Sequence, residues 1–309
     1  MGSESGVPIL DFRKSTEITL EEGGQGWKEM SKKVRVALES HGMFLLRCDE
    51  IPKELQNKMF TDIKSLFDLP EETKTKSIGK RAYRGYSSKN PTLPNSQTFG
   101  IDDTFDPNEA RSFTNLMWPE GNPNFCSQAR ELSSCILKMI MEGFGLLENY
   151  ISEIKELCRG NDTRLTKYPL PKETNDSVIT FVPHTDKSNL TIISQNEVQG
   201  LQLLQKSGNW VNLNVPPNGF AVMVGDILQA WSNGRFKAPI HRVAIRGNKD
   251  RYVFILFSFP REETFIKVPS ELVDEDHPLR YKTFTYEDFI NFIKTVGTKL
   301  GALDDFAGI

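Results

Sequence analysis

Between residues 178 and 259 the chain alternates short apolar runs with turn-forming residues, and this rhythm constrains the fold more than any other feature. The runs are Val178–Val182, Leu190–Ser194, Leu201–Leu204, Trp210–Leu213, Phe220–Val224, His241–Ile245 and Tyr252–Phe259. Ser207-Gly208-Asn209, Pro216–Gly219, Asn233-Gly234 and Gly247–Asp250 lie between them. Glycine supplies positive-φ positions in such turns, and asparagine can do so or cap its own backbone. Many short strands at this spacing indicate an all-β sandwich or barrel, not βαβ units.

Helices flank this core. Residues 27–41 carry Val34, Val36, Ala37 and Leu38 among charges, the pattern of an amphipathic helix that Gly42 stops. Val7–Phe12 and Met43–Leu46 read as strands. Leu55, Met59, Ile63 and Phe67 stack on one face of a helix that Pro52 begins. Leu132, Ile136, Ile140 and Phe144 form the apolar stripe of a long helix over about 125–146. Residues 84–124 read as irregular, and a loop of that length usually has a job, such as a substrate lid. Near 286 a last helix begins, with Thr285 and Asp288 at capping-box spacing. The expected organisation is a mainly helical region with the lid-like loop at 1–150, a β core at 151–265 and a helical tail at 266–309, all one compact unit.

Composition excludes several roles. The 309 residues carry a formal net charge of −3, which favours neither a nucleic-acid surface nor an anionic membrane. The densest basic stretch, Lys74 to Arg84, follows Glu71-Glu72 and reads as solvated surface. Cys48, Cys126, Cys135 and Cys158 show no metal-ligand rhythm and read as reduced thiols. The first residues have no apolar segment of a signal peptide, and Gly6 stands where myristoylation needs Ser or Thr. No apolar run is long enough to span a bilayer. A cytoplasmic monomer that acts on a small molecule is expected.

The chemistry centres on His184 and Asp186. Two residues apart on a strand, or at its immediate end, they point the same way. In a double-sheet roll, His241 can close a triad with them from the opposite side. Two imidazoles and one carboxylate suit iron(II) better than a closed structural zinc site, and they leave positions open for a chelating cosubstrate and dioxygen.

The surrounding motifs carry a resemblance. They are His184-Thr185-Asp186, Leu190–Gln195, Val224-Gly225-Asp226, Ser232-Asn233-Gly234, His241-Arg242-Val243, Arg251-Tyr252 and Phe257–Pro260, with Pro8–Asp11, His41–Phe44 and Phe67–Pro70 as N-terminal echoes. Together they resemble the plant-type 2-oxoglutarate and iron(II)-dependent dioxygenases over nearly the whole chain. Lys187-Ser188 and Trp118-Pro119 resemble the AOP-like branch, whose members oxidise specialised metabolites. The resemblance implies a distorted double-stranded β-helix, or jelly roll, with flanking N-terminal and C-terminal helices. It implies His184, Asp186 and His241 as iron ligands, and Arg251, assisted by Tyr168, as the clamp on the distal carboxylate of 2-oxoglutarate. Fe(II), 2-oxoglutarate and dioxygen are the implied cofactor and cosubstrates.

Two positions depart from the family pattern. Val253 stands where the family has Ser, and Thr166 where it often has Asn. Valine cannot donate a hydrogen bond, and losing one to a charged group costs roughly 1.5–3 kcal/mol unless another group replaces it. Thr166 is a candidate replacement. The expected substrate pocket comprises Arg164, Phe181, Phe257 and Phe259, with Tyr86 and Phe113 from the lid. Such aromatic walls suit an apolar substrate face. The expected reaction is hydroxylation of a small plant metabolite, with succinate and carbon dioxide as coproducts. The alternatives are an iron-dependent oxidative cyclase or non-redox enzyme without 2-oxoglutarate, which Val253 motivates, a silent metal-bearing binding protein, and a zinc hydrolase.

Overall fold

All seven apolar runs form strands, and most are buried on both faces. In the computed structural model the strands are, in chain order, β1 (Ile9–Asp11), β2 (Met43–Arg47), β3 (Gly85–Ser87), β4 (Gln97–Asp102), β5 (Gly160–Tyr168) and β6 (Val178–His184). They continue with β7 (Leu190–Gln195), β8 (Leu201–Leu204), β9 (Trp210–Asn212), β10 (Phe220–Val224), β11 (His241–Ile245) and β12 (Arg251–Phe259). The structure describes every residue except 1–5, 13–20, 49–50, 80–83, 89–95, 105, 118–123, 147–149, 151, 154–155, 158, 170–177 and 247–248, and the side chains of 124–127, 129 and 132.

An eight-stranded sheet has the order β1-β2-β10-β7-β12-β5-β4-β3, and a four-stranded sheet the order β6-β11-β8-β9. Alternation along each strand separates two cores. Phe44, Leu190, Ile192, Val222, Phe254 and Leu256 face the helices, where they pack with Trp27, Val34, Ile63 and Ile140. Met43, Ile193, Ala221, Met223 and Val253 face inward and pack with Leu201, Leu203, Val243 and Ile245 of the smaller sheet. Two facing sheets with helices on the outside form the expected jelly roll.

Helix α1 (Gln25–His41) stops at Gly42, whose φ of 68° is left-handed and whose N–H donates to Leu38 O. No other residue fits there, because a Cβ would lie 2.0 Å from Lys237 O. Helix α2 (Lys53–Asp68) buries Met59, Ile63 and Phe67 as the spacing predicts. The Thr285 hydroxyl accepts from Asp288 N at 3.2 Å and caps the helix Tyr286–Val296. Cys48 and Cys135 are thiols; the side chains of Cys126 and Cys158, and the Trp118-Pro119 segment, lie outside the described residues.

One expectation needs correction, and two further elements carry no signal in the apolar runs. Residues 84–124 are not simply irregular. The short helix α3 (Glu71–Lys74) precedes them; they contain β3, β4 and the helix α4 (Pro107–Met117), and they extend the edge of the large sheet before α5 (Asn124–Phe144). β5 is a full central strand that the apolar runs did not reveal. Its inward positions are Asp162, Arg164, Thr166 and Tyr168, while Leu165 packs on the helix side. An inward face this polar hides a strand from any reading that looks for apolar runs. The helix Asp226–Trp231, buried throughout, was likewise not expected.

Candidate metal centre

The strand register brings the two histidines together. His184 ends β6, His241 begins β11, and the two are direct cross-strand partners with ring centroids 4.2 Å apart. His241 therefore comes from the neighbouring strand of the same sheet, not from the facing one as expected. Asp186 lies in the turn after β6, with Oδ1 3.6 Å from His184 Nε2 and Oδ2 3.9 Å from His241 Nε2. One ligand atom from each residue lies within 4.8 Å of the other two.

Each imidazole is held by its far nitrogen. His184 Nδ1 donates to Val182 O at 2.9 Å, and His241 Nδ1 to Pro239 O at 3.1 Å. A carbonyl can only accept, so Nδ1 of each ring carries a proton and Nε2 is the atom turned toward the other ligands. Burial, and then His241, push the pKa of His184 down to about 3, so its ring is neutral at ordinary pH. Burial acts to raise the Asp186 carboxyl, but His241, His184 and the Thr191 hydrogen bond outweigh it and hold its pKa low. Thr191 Oγ1 donates to Asp186 Oδ2 at 2.6 Å, so Ser188 Oγ, 3.0 Å from Thr191 Oγ1, must donate to it in turn.

The turn carrying Asp186 is tied to the start of the helix Asp226–Trp231. Asp226 N donates to Asp186 O at 2.7 Å. Lys187 Nζ donates to Asp226 Oδ2 at 2.6 Å and to Thr185 Oγ1 at 2.9 Å. Burial raises the Asp226 carboxyl, and Lys187 opposes that shift. Gly225 allows the crossing, since a Cβ there would lie 2.0 Å from Ser188 O.

A second polar cluster lies on the inward face of the large sheet. Arg251 opens β12 opposite Tyr168 of β5 and is 1% exposed. Its Nε and Nη2 both donate to Gln195 Oε1, at 3.2 and 2.6 Å. Its guanidinium lies 5.2 Å from the Tyr168 ring centre. Among the described residues no carboxylate pairs with it, and Nη1 has no partner. Burial lowers its pKa to about 10, with Tyr168 opposing. Val253 follows on the same face, between Thr166 of β5 and Gln195 of β7.

The structure brings Arg164, Phe257 and Phe259 together, sets Phe181 beside His184, and places the other two expected pocket residues apart from these. Phe181 stacks on His184 at 4.0 Å. Phe257 pairs across the sheet with Thr191, stacks on Phe259 at 5.8 Å, and carries the Arg164 guanidinium 5.1 Å from its ring centre. Tyr86 and Phe113 do not join them. Both pack on Phe99 in the helix-side core, at 4.9 and 5.7 Å, and the Tyr86 hydroxyl donates to Glu71 Oε2 at 2.9 Å. Thr191, Gln195, Lys187 and Asp226 lie within the motifs of the resemblance, but no role of their own follows from the sequence. Thr191 and Gln195 are polar residues alternating with Leu190 and Ile192, and that alternation was the available signal.

Residues 160–260 match the model of the 2OG-Fe(II) oxygenase superfamily, and residues 7–125 match that of the non-haem dioxygenase in morphine synthesis N-terminal region. The probable 2-oxoglutarate-dependent dioxygenase AOP1.2 of Arabidopsis thaliana is 35% identical over 97% of this chain and 95% of its own. The chain belongs to the 2OG-Fe(II) oxygenase superfamily. The rice dioxygenase for auxin oxidation superposes on this oxygenase with a TM-score of 0.81 at 28% identity, covering 97% of this chain and 99% of the other. The 2-oxoglutarate complex of dioxygenase for auxin oxidation 1 from Arabidopsis thaliana gives 0.77 at 26%, covering 88% and 99%.

The residues present fit both groups that the superfamily uses. Two Nε2 lone pairs and a carboxylate form a nitrogen and oxygen donor set suited to iron(II). Arg251, a buried cation with no counter-ion among the described residues and with Nη1 unpartnered, fits an incoming carboxylate. Iron(II) and 2-oxoglutarate are the cofactor and cosubstrate of this oxygenase, and dioxygen is the second cosubstrate. When bound, they supply the oxidising power for attack on a small organic substrate. The chain's own part is to orient the ligands through Val182, Pro239 and Thr191 and to keep water from the inward face.

Proposed function

We propose that this oxygenase hydroxylates a small plant specialised metabolite with an apolar body, consuming 2-oxoglutarate and dioxygen and forming succinate and carbon dioxide. In this reading His184, Asp186 and His241 ligate iron, and Arg251 takes the distal carboxylate of 2-oxoglutarate. Tyr168 assists, Thr166 offers the hydroxyl that Val253 lacks, and Val253 itself contributes apolar contact.

The supporting observation is a linear order on one strand. Inward positions of β12 run Arg251, Val253, Ile255, Phe257, Phe259, and Thr191, which holds Asp186, pairs with Phe257. Arg251 and Val253 thus lie toward one end of the strand and Phe257, level with Thr191, toward the other, so the clamp, the metal ligands and the aromatic wall follow one another along the inward face. Phe181, Phe257, Phe259 and the aliphatic stem of Arg164 then face an apolar substrate, and the guanidinium of Arg164 supplies a polar fixing point. The superposed rice protein acts in auxin oxidation, which supports a small organic substrate for this chain too. The proposed setting is a cytoplasmic monomer, one compact unit that binds neither nucleic acid nor membrane. The net charge of −3 is consistent with this, and no helix among the described residues is long and apolar enough to cross a membrane.

A screen of fractionated plant metabolites with the iron-loaded enzyme tests the reading. The expected hit releases succinate in step with a product heavier by one oxygen atom. Succinate release with desaturated, cyclised or dealkylated products only would replace hydroxylation with another oxidation.

A further inference from the structure

Arg251 has five N–H donors, and the structure shows how they are divided. Gln195 Oε1 takes the edge formed by Nε and Nη2. At the other end of the guanidinium Nη1 has no partner, and with Tyr168 beside it that end remains for a planar acceptor. Gly200 leaves room for this placement, since a Cβ there would lie 3.1 Å from Arg251 Cδ.

The orientation of the Gln195 amide is itself determined. Val215 N donates to Gln199 Oε1 at 3.1 Å, and Gln199 Nε2 donates to Val215 O at 3.2 Å. A backbone N–H and C=O thus identify which end of the Gln199 amide is oxygen. That oxygen also accepts from Gln195 Nε2 at 2.6 Å. With its nitrogen committed to Gln199, Gln195 can offer Arg251 only its oxygen. The backbone of Val215, beyond β9, therefore sets the pose of the guanidinium through two side-chain amides. Since both amides are neutral, they orient the cation without cancelling its charge, as a carboxylate would.

We propose that Gln195, held by Gln199, is the positioning residue that directs the end fork of Arg251 at the distal carboxylate of 2-oxoglutarate. This rests on the clamp role of Arg251 proposed above. The hydrogen bonds of the Gln195 side chain go to Gln199 and Arg251, so it acts on the cosubstrate through Arg251.

Anaerobic titrations of the iron(II)-loaded enzyme with 2-oxoglutarate and with 2-oxobutyrate test it. The second ligand keeps the 2-oxo acid and lacks the distal carboxylate, so the ratio of the two dissociation constants isolates the clamp. Gln195→Leu is expected to shrink that ratio about tenfold, equal to about 1.4 kcal/mol, while 2-oxobutyrate binds as before. Gln195→Glu keeps the shape but brings a competing carboxylate to Arg251, and a larger shrinkage is expected. Gln199→Leu, which removes only the tether, should shrink the ratio less. A ratio unchanged in Gln195→Leu and Gln195→Glu overturns the proposal, as does an equal loss for both ligands, which would make Gln195 a general support of the fold. If Gln195→Leu does not fold, the near-isosteric Gln195→Glu decides alone. Arg251→Met serves as the control. A ratio that survives this change refutes the clamp itself, separately from the role of Gln195.

Discussion

Replacing Arg251 with Met should move stability and cosubstrate binding independently. Arg251 is buried with no carboxylate partner among the described residues. Its pKa of about 10 corresponds to a burial cost of about 3 kcal/mol against the charged form. Methionine removes that cost. It also removes two hydrogen bonds to Gln195 and leaves Oε1 of Gln195 short of a donor, a loss of about 1–3 kcal/mol. The terms nearly cancel, so the metal-free, ligand-free Arg251→Met protein should unfold within about 2 kcal/mol of wild type. Binding has no such compensation. A buried carboxylate that loses its cation costs about 2–5 kcal/mol, which is a rise in the 2-oxoglutarate dissociation constant of at least about 30-fold. Denaturant unfolding of the apo proteins and anaerobic calorimetry of the iron-loaded ones measure the two effects separately. A dissociation constant within about threefold of wild type would refute the clamp. A large apo destabilisation would show instead that Arg251 is structural.

The other expectations concern the metal turn. Thr191→Val removes the 2.6 Å hydrogen bond that orients Asp186 and should weaken iron binding about 10- to 100-fold in a chelator competition. Lys187→Met leaves the buried Asp226 carboxylate unpaired and should cost about 3 kcal/mol on unfolding, with Lys187→Met/Asp226→Asn recovering most of it. The apo protein should lose stability as pH falls. His184 titrates at about 3 when folded and near 6.5 when unfolded, so between those values the unfolded chain binds the extra proton. Acidification from pH 6.5 to 5 should therefore cost up to about 2 kcal/mol in urea melts, and a flat profile would contradict the buried neutral ring.

The triad and the β core were legible because their signals are local. His184 and Asp186 sit two residues apart, and Gly, Asn and Pro mark nearly every turn. Pocket membership was less legible, because it depends on which way each strand faces. Tyr86 looked like a lid residue until its pairing with Phe99 put it on the helix side. β5 was invisible for the opposite reason, since the residues it points inward are Asp162, Arg164, Thr166 and Tyr168. Gln195 lay inside a recognised motif, but its task appears only when β7 and β12 pair and bring its amide to Arg251. Register is a long-range property, and one chain read alone does not disclose it.

The most direct test is a crystal structure grown without oxygen in iron(II) and 2-oxoglutarate, with the metal located at the iron absorption edge. The expected map has one iron peak in contact with Nε2 of His184, Nε2 of His241 and the carboxylate of Asp186. The 2-oxo acid end of the cosubstrate should share that metal, and its distal carboxylate should meet the Nη1 end of Arg251. An iron peak away from any of the three ligands, or a distal carboxylate turned away from Arg251, would contradict this arrangement.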